Sequence, residues 1–457
     1  MNVAVLADLL EFTRDGEWGE GEAGDGLVEV GIIRGTDFSS VRYGDLSGIP
    51  TRYVRAGVVE KKQLRPGDVL IETAGGTKDQ PTGRTVYLND ALFQLTDKPL
   101  LCASFARFLR VREGAIDPKY LFWKLQDEYL RGELLPYHVQ HTGVARFQYT
   151  QFAATHRLVA PDAADEQNAI ASVLSALDDK IQLNRRMNET LDAMAQAIFK
   201  DWFVDFGPVK RMLAGVSSGG RSDAVAILGG LIADPVEAAR IATLFPNAIG
   251  GDGLPEGWEN SPFSRQIEIV GGGTPKTSLP EYWDGDIPWF SVTDTPNGSD
   301  TFVFETEKTI TEQGLANSSA KLVEAGTTII TARGTVGNLA LAGRDMTFNQ
   351  SCYALRARDG ESPYYVYLST KQIIQRLQSM AHGSVFSTIT RHTFENVEAP
   401  LPPRPIRDAF EGLAAALFDR IKASVQENRT LAETRDYLLP KLMSGAVRVR
   451  DAEKAVS

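Results

Sequence analysis

From residue 170 the apolar positions advance in steps of four and three: Ile170, Leu174, Leu177, Ile181, then Leu191, Ala195 and Ile198, with Asn184 and Asn188 holding the places between. That spacing is the 3.5-residue seam of a coiled coil. The seam returns 240 residues later as Phe410, Ala414, Leu417, Ile421, Ser424, Asn428, Leu431, Arg435 and Leu438. Asp179, Ile181, Asn188, Thr190 and Leu191 recur identically as Asp419, Ile421, Asn428, Thr430 and Leu431. The pattern predicts helices over 166–200 and 406–440, each ~50 Å long at 1.5 Å per residue. A polar residue in such a seam costs stability, and its best-attested use is to fix register and pairing. The matched interruptions therefore favour mutual pairing, with Leu177, Ile181, Asn184, Asn188 and Leu191 of one helix and Leu417, Ile421, Asn428 and Leu431 of the other. The expected arrangement is antiparallel about an approximate two-fold axis, the polar positions meeting near mid-helix. The alternative is two amphipathic helices, each packed on its own domain.

The repeat extends upstream with a different offset. LRPGDVLIETAGG (64–76) matches LVEAGTTIITARG (322–334), Gly67 with Gly326 and Ile71 with Ile330, an offset of 259 residues. Each reads as a Gly-containing turn, a short apolar strand and a Gly loop. Proline-containing boundaries, VAPDAADEQ (159–167) and EAPLPPRPIRD (398–408), precede the two helices, as expected of a residue that enters helices but does not sit in their interior. GVSSGGRSDAVAILGG (215–230) reads as a Gly/Ser-rich connector, followed by a short helical stretch and then GGDGLPEGWE (250–259). The organisation expected is a globular domain over 1–160, a helix over 161–206, a linker over 207–250, a second globular domain over 251–400 and a second helix over 401–450. One chain thus imitates a two-fold dimer, and two-fold proteins suit bipartite DNA sites.

Composition narrows the classes. Of 457 residues, 43% are hydrophobic and 23% charged, as in ordinary globular proteins. Cys102 and Cys352 are too few for a disulfide framework or a zinc site, and buried reduced thiols suit a cytoplasmic setting. The start, MNVAVLADLLEFTRDGEW, has no signal-peptide character, and AVAILGGLIA (224–233) is too short to span a bilayer. A net charge of −11 argues against a protein that coats nucleic acid unaided.

AIFKDWFVDFGPVKRML (197–213), LPEGWE (254–259), GGGTPKTSLPEYWDGDIPWFSVTD (271–294) and LLPKLMSGAVRV (438–449), in that order, resemble the specificity subunit of type I restriction–modification systems over nearly the whole chain. The resemblance implies an α+β fold: two mixed α/β target recognition domains separated by a pair of long antiparallel coiled-coil helices, with pseudo-two-fold internal repetition. It implies that each domain reads half of a split site in double-stranded DNA and that the helices set the spacer. It implies no catalysis and no cofactor in this chain. S-adenosylmethionine would belong to two partner methyltransferase (modification) subunits, and ATP and Mg to a motor–nuclease (restriction) subunit. The first half departs from the pattern: it lacks an LPEGW-type lead and the GGGTPKTSLPEYW stretch.

Catalytic motifs are missing. GGGTPKTS (271–278) mimics a phosphate loop, but Pro275 stands where the second glycine is needed and has no N–H to offer. A contact to DNA backbone from Thr274, Lys276 and Thr277 fits better; the other reading is a plain turn. There is no nucleophile elbow, no H-E-x-x-H and no Asn/Asp-Pro-Pro-aromatic loop. His138 and His141 lack a completing ligand set. Base and backbone contacts in DNA call for basic, amide, hydroxyl and aromatic side chains on loops. The first half offers Lys78, Arg84, His138, Gln140, His141 and Arg146. The second offers Thr274, Lys276, Thr277, Arg333, Asn338, His382, Ser384, Thr388 and Arg391, with Trp289, Asn349 and Gln350 beside them. Two other classes compete: a self-sufficient methyltransferase or nuclease, which the missing motifs disfavour, and an assembly scaffold that does not read DNA.

Overall fold

The computed structural model describes residues 2–77, 80–140, 144–217, 223–296, 300–358, 362–382 and 388–456. Residues 1–183 with 427–457 form one compact unit, and residues 184–426 form a second. The division cuts both predicted helices, which run over Ala164–Phe203 and Arg404–Met443. Each unit therefore holds a globular part and a piece of each helix.

Burial along the helices follows the predicted seam. Ile181, Asn184 and Asn188 are buried, with residues 183, 186, 189 and 190 exposed; Ile421, Ser424 and Asn428 repeat this, with 423, 426, 429 and 430 exposed. In the first unit, Ile170, Leu174 and Leu177 share a core with Leu438, Leu439 and Leu442. There Lys180 Nζ lies 3.5 Å from Glu427 Oε1, and Arg435 Nη1 donates to Asp178 Oδ1 at 2.6 Å. The earlier residue meets the later partner, so the pairing is antiparallel. In the second unit, the end of one helix packs on the start of the other: Phe199 and Phe203 lie 5.6 and 5.1 Å from Phe410, ring to ring. Leu191 and Leu417 lie at the edge of that core.

The globular part of the first unit is built on β1 (Asn2–Val5), β2 (Leu10–Asp15), β3 (Leu27–Ile33), β4 (Thr51–Arg55), β5 (Val69–Glu72), β6 (Thr85–Tyr87), β7 (Leu100–Cys102), β8 (Ala106–Val111), β9 (His138–Val139), β10 (Arg146–Phe147) and β11 (Arg157–Ala160). The second uses β12 (Glu259–Pro262), β13 (Ile267–Gly271), β14 (Trp283–Phe290), β15 (Phe302–Val303), β16 (Thr309–Ile310), β17 (Thr328–Thr331), β18 (Leu339–Ala342), β19 (Thr347–Phe348), β20 (Cys352–Ala357) and β21 (Glu398–Leu401). The orders match: β2-β8-β5-β6 with β13-β20-β17-β18, β4-β3-β7 with β16-β14-β19, and β1-β11 with β12-β21. The parallel pairs β3–β7 and β14–β19 correspond too. The second unit adds β15, parallel to β18.

The two offsets read from the sequence now have a location. Gly67 and Gly326 both turn with positive φ, 89° and 86°, before β5 and β17, a conformation that costs glycine nothing. The offset falls from 259 at the starts of β5 and β17 to 246 at the starts of β8 and β20, and reaches 240 in the long helices. Most of the extra sequence thus sits in the first unit between β5 and β8. The segment expected as a linker carries helices Gly207–Ser217, Ala224–Ile227 and Pro235–Ala242. Its Val209, Leu228, Ile241 and Phe245 are buried in the second unit's core. Among the described residues no helix is long and apolar enough to cross a membrane.

Candidate nucleic-acid interface

In each unit three loops are tied into one rim by the same backbone bonds. In the first, the N–H groups of Thr73 and Ala74 donate to Phe105 O at 2.8 and 3.3 Å, and Phe147 N–H donates to Thr73 O at 2.8 Å. In the second, Ala332 and Arg333 donate to Ser351 O at 2.7 and 3.2 Å, and Ile389 donates to Ala332 O at 3.0 Å. The loop after the first strand of each sheet closes against this rim. A Cβ on Gly16 would lie 2.1 Å from Cys102 O, and one on Gly272 would lie 2.1 Å from Asn349 O. Only glycine permits that approach.

The second rim gathers several residues singled out in the sequence. Thr274 Oγ1 donates to Gln350 Oε1, Arg333 and Thr388 flank the bond between Ala332 and Ile389, and Arg391 opens the helix Arg391–Asn396, whose N-cap is Thr390. Arg333 and Arg391 are exposed and, among the described residues, make no ion pair. The GGGTPKTS loop is held by two indoles: Trp289 Nε1 donates to Gly273 O at 2.9 Å, and Trp283 Nε1 to Lys276 O at 3.2 Å. Two of its carbonyls are thus occupied while Lys276 and Thr277 remain exposed. No helix follows the loop, only a single turn at Pro280–Tyr282, so the geometry of a phosphate loop is not built. Thr277 also borders a shallow hollow of ≈ 220 Å³ with Trp283, Asp284 and Lys308. Asn338 stands at the base of the hairpin, where its N–H donates to Thr331 Oγ1 at 2.9 Å.

The first rim borders an open cleft of ≈ 570 Å³, onto which Arg146, Phe147 and Gln148 face. Arg146 is exposed and makes no ion pair among the described residues. Arg84 is engaged otherwise: Nε and Nη2 donate to the buried Glu72 at 2.9 and 2.7 Å. Those hydrogen bonds hold its guanidinium above the ordinary arginine range. His138 Nδ1 lies 2.9 Å from Thr82 Oγ1 and 3.1 Å from Thr82 N. Gln140 is exposed. Lys78, His141 and Ser384 lie outside the described residues, as does the side chain of His382.

Of the residues lining the cleft the sequence singled out only Arg146; Phe105, Arg107 and Tyr149 are among those it missed. Arg107 donates to Asp15 at 2.5 Å and stacks its guanidinium 4.4 Å from the Tyr149 ring centre; burial raises the Tyr149 hydroxyl pKa. Phe105 is 59% exposed at the tip of the turn. An apolar residue left in water within a turn was the available signal for Phe105. Arg107 and Tyr149 gave none, because their meeting depends on strand pairing. Among the described residues one cluster has metal-ligating types, Glu128, Glu133 and His156. Its central Glu128 already faces Lys124 at 3.4 Å and His156 at 2.9 Å, which satisfies the carboxylate without an ion.

Residues 255–414 match the family model described as Type I restriction modification DNA specificity domain. Over 435 residues, 88% of this chain and 89% of its relative, the sequence is 26% identical to the type I restriction enzyme HindI specificity subunit of Haemophilus influenzae. It is 29% identical over 180 residues to the type I restriction enzyme MjaIX specificity subunit of Methanocaldococcus jannaschii, spanning 39% of this chain and 42% of that one. Among solved structures, the S subunit of a type I restriction–modification system from M. genitalium is similar with a TM-score of 0.50 at 14% identity, over 96% of this chain and 95% of that one, a likeness of fold. Two matched globular parts, two matched helices and these likenesses agree: residues 255–414 match a type I restriction modification DNA specificity domain, and the chain over most of its length is similar to type I restriction–modification specificity subunits.

Proposed function

We propose that each globular part reads one half of a bipartite sequence in double-stranded DNA and that the paired helices set the spacer between the halves. The chain docks two methyltransferase subunits, and the helicase–nuclease subunit joins that assembly. This chain is the non-catalytic specificity component; S-adenosylmethionine belongs to the methyltransferase and ATP with Mg to the motor. The observation that carries this reading is the pair of rims. They share a backbone framework and differ in side chains, as two readers of unlike sequences should. Exposed Arg146 in one, and Lys276, Arg333 and Arg391 in the other, are of the types that contact phosphates and base edges. A chain of net charge −11 binds DNA weakly alone, so the partners contribute much of the phosphate-neutralising charge.

The test is exchange. Replacing residues 251–400 with those of a relative, in the assembled methyltransferase, should change one half of the methylated motif and leave the other intact. Changes in both halves would defeat the two-reader model. Inserting four residues, about one helical turn, into one long helix should alter the spacer and keep both half-sites; an unaltered spacer would defeat the ruler.

A further inference from the structure

We propose that Phe105 is a specificity-determining residue of the first unit, making apolar contact with the 5-methyl group of a thymine in the half-site that unit reads. The proposal rests on the reading of DNA by each unit given above.

The fold does not need this side chain. What the fold uses is the Phe105 carbonyl, which takes the Thr73 and Ala74 N–H groups, and in the second unit the Ser351 carbonyl does the same. A serine side chain therefore serves at that place. A phenylalanine 59% exposed there leaves apolar surface in water, which burial against a partner would recover. The turn is also well held: besides those two bonds, Ala106 N–H donates to Ala103 O at 2.8 Å. The ring is presented from a fixed backbone, which recognition of one atom group requires.

The surroundings name the partner. Beside Phe105 the cleft is lined by Ser104, Arg146, Gln148, Thr150 and Gln151, a set of donors and acceptors around an exposed cation. The carboxylate of Asp15 at the same cleft is already paired with Arg107. Such a lining suits a polyanion with hydrogen-bonding edges, not an apolar protein surface. On the edges of base pairs the apolar group is thymine's 5-methyl, displayed in the major groove.

Deoxyuridine deletes that methyl and nothing else. The complex of this chain with its methyltransferase is assayed on duplexes in which each thymine of the first half-site is replaced singly. At one position the wild type should lose about four- to tenfold in methylation kcat/KM, the scale of one buried methyl to one base contact. Phe105→Ser should lose a similar factor on thymine DNA and show no further loss with uracil there, and Phe105→Leu should keep part of the preference. Unchanged thermal melts would exclude misfolding. The proposal is overturned if no uracil substitution affects the wild type, if Phe105→Ser keeps the uracil penalty, or if 2-aminopurine fluorescence reveals Phe105-dependent unstacking, which marks a wedge instead. The reading beneath it fails separately, if the wild-type complex methylates no bipartite motif.

Discussion

Asp178 is the residue whose loss should cost the first unit most. Its Oδ2 accepts from Arg42 Nε at 2.6 Å and its Oδ1 from Arg435 Nη1 at 2.6 Å, so one carboxylate serves two guanidinium groups. The three side chains are 12%, 17% and 9% exposed, too buried for water to replace the carboxylate. Burial works to lower the Arg435 pKa, yet the charge of Asp178 and its hydrogen bond outweigh it and hold the group above its usual range. Asp178→Ala would leave Arg42 without a carboxylate partner and Arg435 with only the half-exposed Asp436, at 2.8 Å. Breaking a buried pair in this way costs about 3–5 kcal/mol, whereas replacing every member with apolar residues of similar volume is near neutral. The triple variant Arg42→Met, Asp178→Leu, Arg435→Met should therefore recover most of the loss. Urea unfolding followed by tryptophan fluorescence reads both, because the Trp123 ring lies 5.0 Å from the Arg42 guanidinium carbon. A loss under about 1 kcal/mol for Asp178→Ala, or a triple variant as unstable as the single one, would refute the reasoning.

Arg84→Ala strands Glu72, which is 2% exposed, so it should cost about 1–3 kcal/mol in a denaturant melt without changing the methylated motif. Arg146→Ala should stay within about 0.5 kcal/mol of wild-type stability and weaken DNA binding by filter assay. Lys276→Ala should weaken binding to all sequences and lower the salt slope by about 1; Arg391→Ala should cost ~1–3 kcal/mol at one base pair. Burial pushes the thiols of Cys102 and Cys352 up to about 12. A raised thiol pKa leaves the thiolate scarce until the pH approaches that value, so neither should react with a disulfide reagent at pH 8 before unfolding, and both should react after it.

The long helices were legible because a seam states both its period and its partner: the polar interruptions at Asn184, Asn188, Ser424 and Asn428 break the apolar pattern at matching places, and burial puts all four inside. β5 and β17 were legible from one shared turn, strand and loop. The rims were legible only as a collection of polar loops. What brings residues 103–105 beside Thr73 and Gly16 is the parallel pairing of β3 with β7 and the antiparallel pairing of β5 with β8, and no local pattern encodes either. The same limit hid the role of Arg84. On the sequence it is one more loop cation; the antiparallel β5–β6 pair sets it against Glu72, twelve residues earlier. In 207–250, glycine and serine at the start suggested a connector with a short helical stretch after it; that Leu228, Ile241 and Phe245 join the second unit's core depends on residues far along the chain, and no local period states it.

The repeat keeps its register along both helices, but its residues change where the helices meet the globular parts, and the contacts say why. Asp178 corresponds to Phe418, and the seam position Ala195 to Arg435. In the first unit the helices hold the globular part through Arg42 on Asp178. In the second they use Lys371 Nζ on Asp192 Oδ2 at 2.7 Å and the stack of Tyr364 on Phe418, with centroids 4.5 Å apart. Glu411 adds a different tie: its carboxylate accepts from the N–H groups of Tyr364 and Tyr365 at 2.9 and 3.0 Å. That caps the helix Pro363–His382 from outside and favours its positive end. Backbone donors are present in any sequence, so the Glu411 tie should survive exchange of the recognition part, but the Lys371–Asp192 and Arg42–Asp178 ties require named side chains. A transplant bounded at residue 160 or residue 400 therefore moves Arg42 or Lys371 away from its helix partner. Transplants that carry the matching residue at 178 or 192 should fold as the parents do, and those that omit it should lose stability before they lose specificity.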